Sequence, residues 1–230
     1  MIHELTETVL NLLRAQNAPV VRNENGLSAS QRSNLWYGPE ITAKFADANI
    51  VSYNLLGGGG YGDVLRGTWN NKPIALKFQY YDHSKKTIEQ ESIIHSILAP
   101  MTHMLVLPIF DIQTEKVCFY VMDKYKEDLD TCLDRRHLNE DTKRMIINDL
   151  ANGLDALKRM HVCHLDIKMR NILVVPSKRA KLTDFGSAIE GNVRQDNNKS
   201  TGTLGYQSPE LMKGLTYVGK SDAWSVGVCM

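Results

Sequence analysis

The run His164-Leu165-Asp166-Ile167-Lys168-Met169-Arg170-Asn171 decides how this chain reads, and Asp184-Phe185-Gly186 begins thirteen positions after Asn171. The first run supplies a carboxylate, an amine and an amide within six positions. The second adds a carboxylate on a Gly-hinged turn. Phosphoryl transfer from a nucleotide needs such a set: a carboxylate to orient a hydroxyl, a cation for the moving phosphate, and oxygen ligands for Mg²⁺. Either motif alone arises by chance; the two in this order and at this spacing rarely do.

Upstream, Gly57-Gly58-Gly59-Gly60-Tyr61-Gly62-Asp63-Val64 contains G-x-G-x-x-G-x-V, read at Gly57, Gly59, Gly62 and Val64. Glycines let backbone N–H groups approach phosphates closely, because no Cβ stands in the way. A lone Gly-rich run is more often a flexible loop. Here Val51 to Leu56 and Val64 to Trp69 flank it and both read as strands, so the glycines sit at a hairpin tip. Ile74-Ala75-Leu76-Lys77 then ends an apolar run on one Lys, placed to pair with phosphate.

These residues together resemble a eukaryotic-type protein kinase of the serine/threonine branch. The resemblance runs from about Val51 to the last residue and includes Ser208-Pro209-Glu210 for A-P-E and Asp222-Ala223-Trp224-Ser225-Val226-Gly227 for D-x-W-S-x-G. It implies an α+β, two-lobed fold: a small lobe at 50–122 with an antiparallel sheet and one helix, then a mainly helical, partial large lobe at 123–230. Residues 1–49 fall outside it as an N-terminal extension.

Composition agrees. The chain's 230 residues suffice for a large core or two lobes, and 27 basic against 26 acidic residues leave a net charge of +1. No global field therefore favours nucleic acid or an anionic membrane. Cys118, Cys132, Cys163 and Cys229 show no C-x-x-C spacing, which argues against zinc and a disulfide scaffold. No apolar run approaches the roughly 20 residues of a membrane span, and Glu4, Glu7 and Arg14 break the first apolar stretch, so a signal peptide is not expected. An intracellular enzyme, cytoplasmic or nuclear, is the expectation.

Ile2, Leu5, Val9, Leu12 and Leu13 stand near helical spacing, so residues 1–16 predict a short helix, packed on the small lobe or a partner, or else a disordered leader. Residues 17–40 read as loop. Between 50 and 122 strands predominate, with one helix from Lys85 to Leu98. From Leu129 onward helix is expected to dominate, with Thr142 to Met160 the clearest case.

The resemblance also implies roles. Lys77 would pair with Glu91, which is preferred over Glu89 because Ile93, Ile94, Ile97 and Leu98 follow it in the family's register. Met122 would be the gatekeeper, and the backbones of Asp123 and Tyr125 would hydrogen-bond adenine. Val64, Ala75 and Leu173 would sandwich the ring in an apolar slot. Asp166 would accept or orient the hydroxyl proton, with Lys168 near the γ-phosphate. Asn171 and Asp184 would hold Mg²⁺. His164 would be structural. Lys168 and Gly202-Thr203-Leu204-Gly205-Tyr206 point to Ser or Thr as the acceptor.

Three departures stand out. Leu165 replaces the Arg of H-R-D, which in the family binds a phosphorylated activation loop, so control through Ser200 or Thr201 is not expected. His95 falls where an apolar side chain usually stacks. The resemblance also stops inside the helix opened by Asp222. Trp224, Val226, Val228 and Met230 are therefore expected to form an exposed apolar patch, with the chain either a fragment of a longer kinase or covered there by a partner or by self-association, and Glu210 to lack its usual cation unless Lys220 substitutes. Two functions follow: ATP- and Mg²⁺-dependent transfer to Ser or Thr of protein substrates, or a catalytically weak kinase-like module that binds a partner or competes with a true kinase.

Overall fold

A computed structural model describes residues 40–59, 62–113, 117–135, 138–191, 202–213, 215 and 219–230. The helix expected over 1–16, most of the loop expected over 17–40, and Ser200 and Thr201 lie outside these residues. The described chain forms two compact units, one ending at Phe78 and the other beginning at Gln79.

The first unit opens with a helix over residues 40–47, which the loop expectation did not foresee. Thr42 and Phe45, three apart on one helical face, are both buried, and tertiary burial there outweighs the lack of a strong local signal. Strands β1 (Ile50–Gly59), β2 (Gly62–Trp69) and β3 (Lys72–Tyr80) follow as an antiparallel meander. Asn70 and Asn71 close the β2–β3 turn with φ of 48° and 64°. Both central residues of a tight hairpin need positive φ for the turn to match the strand twist, and Asn tolerates it. Ile74, Leu76 and Leu65 point to one face and are almost wholly buried. Lys77 stands opposite Val64 in the register, so Val64, Ala75 and Lys77 share the other face.

The second unit begins within β3 and continues into α1 (Tyr81–Leu98), four residues longer at its start than the helix predicted from Lys85. Strands β4 (Phe110–Gln113) and β5 (Val117–Asp123) form an antiparallel hairpin. Next come β6 (Glu127–Asp128), α2 (Leu129–Asp134) and α3 (Glu140–Arg159). Asp128 caps α2 by accepting from the Thr131 N–H at 2.8 Å, and Asn139 caps α3 by accepting from Thr142 at 2.9 Å. Each cap satisfies a donor that the helix itself leaves orphaned. Acidic Glu140 and Asp141 at one end of α3 and basic Lys158 and Arg159 at the other complement its dipole.

Ile146, Leu150, Gly153 and Leu157 make the buried stripe of α3. Gly153 lies so close to Leu182 that a Cβ would sit 3.3 Å from its Cδ1, which brings the helix down onto strand β9 (Ala180–Leu182). Asp149 fastens the same pair, accepting from the Ala180 N–H at 2.9 Å and from Arg179 Nε at 2.7 Å.

The expectation that helix dominates beyond Leu129 fails between Val162 and Glu190. That stretch holds β7 (Val162–Cys163), β8 (Ile172–Val174), β9 and β10 (Ile189–Glu190), with β6, β8 and β9 forming one sheet and β7 and β10 another. Runs of two or three residues pair there as strands, and positive φ at Lys178 turns the chain between β8 and β9.

The chain ends in α4 (Ser221–Cys229). Val226 corrects the expected patch: it is buried, 3 % exposed, because with Asp222 and Cys229 it lies on the face turned to the core. Trp224 and Val228, four apart on the opposite face, are 49 % and 43 % exposed. All four cysteines are buried free thiols, and no described helix is long and apolar enough to cross a membrane.

Candidate active site

The backbone from His164 to Asn171 is held by Asp222, from a distant part of the second unit, and by the His164 ring of the run itself. Asp222 on α4 accepts from the N–H groups of His164, at 2.7 Å, and Leu165, at 2.9 Å. Burial pushes the Asp222 pKa up, against the opposing pull of His164 and of those two N–H groups. His164, wholly buried, lies between Thr183 and Asp166: its Nδ1 accepts from the Asp166 N–H at 3.3 Å, and its Nε2 lies 3.0 Å from the Thr183 carbonyl. An accepting Nδ1 assigns the proton to Nε2, which donates to Thr183. His164 is therefore a structural strut.

Leu165 has φ of 65°, a conformation a branched side chain adopts only when its surroundings enforce it. Its N–H is fixed by Asp222, and its side chain is buried with Cys163 and Leu211.

Asp166 is the convergence point. Its Oδ2 accepts from Lys168 Nζ at 2.8 Å and Asn171 Nδ2 at 3.2 Å, and its Oδ1 accepts from Thr203 Oγ1 at 2.6 Å. Lys168 Nζ also donates to Thr203 Oγ1 at 2.9 Å. Asn171 donates a second time, to the Asp166 carbonyl at 2.8 Å, so both of its amide protons are used and its Oδ1 remains available as an oxygen ligand. The Thr183 N–H donates to the Asn171 carbonyl at 3.0 Å, one residue before Asp184. Asp184 is half-buried with φ of 67°, a left-handed position unusual outside glycine.

The structure thus brings together Asp166, Lys168 and Asn171, and Thr183, the residue before Asp184, is bonded to the Asn171 backbone. Glu91 is 2 % exposed on α1, whereas Glu89 is exposed. Gln79 donates to Glu91 Oε2 at 2.8 Å. Asp123 ends β5, Tyr125 follows it, and Leu173 lies on β8. Val64, Ala75 and Lys77 stand together in the first unit, where Lys77 is 6 % exposed. There Gly57 pairs with Val64 and Gly59 with Gly62 at the tip of β1–β2, and Gly60 and Tyr61 lie outside the described residues.

Sequence reasoning gave no site role to Thr203, Asp222 or Gln79. Thr203 had a signal in Gly202-Thr203, and Asp222 in its D-x-W-S-x-G run. Gln79 had none beyond standing two positions after Lys77.

The protein kinase domain family model matches residues 50–230. The chain belongs to the protein kinase family. Its α+β order, antiparallel strands with one helix before a part richer in helix, is that of a partial kinase fold. Two G-type lectin S-receptor-like serine/threonine-protein kinases of Arabidopsis thaliana are similar to it. One is 32 % identical over 90 % of this chain and 27 % of its own length, and the other 36 % over 82 % and 25 %. A mitogen-activated protein kinase kinase 1c of Physcomitrium patens is 26 % identical over 92 % of this chain and 62 % of its own. The chain spans about a quarter of the first relatives it matches.

Proposed function

We propose that this kinase-family chain binds ATP with Mg²⁺ and transfers the terminal phosphoryl group to a Ser or Thr hydroxyl of a protein substrate. The observation that carries the reading is the Asp166 carboxylate, 3 % exposed and fixed by Lys168, Asn171 and Thr203. A carboxylate held by three donors cannot swing away, so it presents a fixed acceptor edge to an incoming hydroxyl.

As the hydroxyl oxygen bonds to the γ-phosphorus, the bond to the β-phosphate oxygen breaks and ADP leaves. Asp166 takes up or orients the displaced hydroxyl proton. Lys168 puts a positive charge beside the same carboxylate, where it offsets charge on the moving phosphoryl group. In the first unit, Lys77 would meet the other phosphates, and Val64 and Ala75 would offer apolar area to adenine. In the second unit, Leu173 and the backbones of Asp123 and Tyr125 are the positions that the family resemblance gives to the purine.

The oxygen donors fit a small hard cation. Asn171 commits its nitrogen to Asp166, which leaves a neutral oxygen, and Asp184 adds an anionic one. Two protein oxygens with the remainder from phosphate and water suit Mg²⁺, which keeps much of its own hydration. Bound there, the cation would neutralise charge on the phosphates. The names of the relatives and the pairing of Lys168 with Thr203 support Ser or Thr as acceptor.

Transfer of labelled phosphate from ATP to a generic protein substrate, followed by identification of the labelled amino acid, tests this. Asp166→Asn and Asp184→Ala should each abolish the signal. Label on Tyr alone, or transfer undiminished in both variants, would sink the reading.

A further inference from the structure

The buried Glu91 is gripped at both oxygens by side chains that the family resemblance did not single out for that task. Gln79 Nε2 donates to Oε2 at 2.8 Å, and His95 Nε2 lies 3.6 Å from Oε1. His95 is four residues along from Glu91, on the same face of α1. Its ring stands edge-on to Tyr120 at 4.8 Å and to Phe185 at 6.1 Å, so packing restricts its rotamer. Gln79 leaves β3 on the same face as Lys77, two positions earlier.

We propose that Gln79 and His95 are positioning residues for Glu91, and that protonation of His95 sets how much of the Glu91 charge stays free to act in transfer. This rests on the kinase reading, in which Glu91 is one of the residues that serve transfer. Gln79 is neutral: it fixes the carboxylate without cancelling its charge. His95 is the one partner in the clamp whose charge changes near neutral pH, since an unperturbed imidazole titrates at about 6.5.

Among the described residues, Glu91 faces His95 as a counter-charge. Tyr120 faces it from β5, and burial raises that phenol's pKa, so the ring is neutral. Phe185 carries no charge; Asp184 adjoins it in sequence, and the His164 ring lies on it at 4.8 Å. Above the imidazole's titration, Glu91 offers its full negative charge to a cation. Below it, the imidazolium takes a share of that charge and leaves less of it for a cation. An apolar residue at 95 would not couple activity to pH in this way.

Two measurements on the full chain decide it. Side-chain NMR titration of His95 should give a pKa lower by at least half a unit in Glu91→Gln than in the wild type. Transfer rates between pH 5.5 and 8 should fall on acidification in the wild type. In His95→Leu the ratio of the rate at pH 6 to that at pH 7.5 should rise at least threefold. Gln79→Leu should lower the rate severalfold at every pH and keep the profile's shape. An unchanged His95 titration, or superimposable profiles for wild type and His95→Leu, overturns the clamp while leaving the kinase reading intact. No transfer from any variant, wild type included, overturns the kinase reading and with it the role of the clamp.

Discussion

Thr203 Oγ1 donates to Asp166 Oδ1 at 2.6 Å while accepting from Lys168 Nζ at 2.9 Å, so one hydroxyl bridges the carboxylate and amine proposed to act on the substrate. Thr203 lies 37 residues beyond Asp166 in sequence, and the bridge therefore docks a separate segment onto the catalytic run. Removing it frees Asp166 at one oxygen and leaves Lys168 with one partner fewer.

Thr203→Ala should lower the transfer rate by roughly tenfold or more, equivalent to about 1.4 kcal/mol in the barrier. Thr203→Ser keeps the hydroxyl and should keep most of the rate. Initial rates at saturating ATP check this; equal rates for both variants would remove the bridge from the argument.

Nucleotide binding gives a second expectation. Mg²⁺-ATP at a hundredfold over Kd should stabilise the chain by about 2.7 kcal/mol and raise its Tm. Asp184→Ala should lose the Mg²⁺-dependent part and keep what ATP alone supplies. A wild-type melt unmoved at millimolar Mg²⁺-ATP would contradict the proposal.

What the sequence made legible was what depends on short-range spacing. Asp166, Lys168 and Asn171 lie within one tight run, and the β1–β2 hairpin is framed by apolar strands on both sides of its glycines. His164 reads correctly as a buried strut. Less legible were features fixed by distant partners. Val226 was expected to be exposed, yet its burial depends on which face of α4 meets the core, and Asp222 sets that face by reaching back 57 and 58 residues to Leu165 and His164. The short strands between Val162 and Glu190 are defined by pairing across the sheet, and their local composition does not separate them from helix. Gln79 is polar where the strand pattern predicts nothing special, and the approach of α1 brings Glu91 to it.

Asp222 should prove costly to remove. Asp222→Ala leaves the buried N–H groups of His164 and Leu165 without acceptors, at about 1–3 kcal/mol each. Asp222→Asn keeps one oxygen and should cost less. Urea unfolding should show a lower midpoint with an unchanged slope, the mark of altered stability and not of altered compactness. A midpoint within experimental error of the wild type would show that water takes the place of the carboxylate.

The buried thiols predict an alkaline limit. Burial raises the pKa of Cys163 to about 12 and that of Cys229 to about 11, against about 8.5 for a free thiol. The unfolded chain then loses these protons first, so folded stability falls as pH climbs from about 8.5 towards 11. At pH 8 both thiols are protonated and enclosed, and the thiolate is the nucleophile. Alkylation of the native chain should therefore spare Cys163 and Cys229 and label them promptly in denaturant; rapid native labelling of either would contradict their burial.

Gly202 and Gly205 allow a paired test of how the Thr203 segment is seated. Both have positive φ, 86° and 91°, so alanine at either meets a similar backbone cost of about 1–2 kcal/mol. Their surroundings differ. A Cβ at 205 meets nothing within 4 Å, whereas one at 202 would come closer than 3.0 Å to the Leu165 carbonyl oxygen. That oxygen cannot easily retreat, because the Leu165 N–H is fixed to Asp222 at 2.9 Å and its side chain is packed with Cys163 and Leu211. The segment carrying Thr203 must move instead, which breaks its bridge to Asp166. Gly202→Ala should therefore lower the transfer rate at least tenfold further than Gly205→Ala, with comparable melting temperatures for the two variants. Equal rates would mean that the close approach of Gly202 to Leu165 does not hold Thr203 on Asp166.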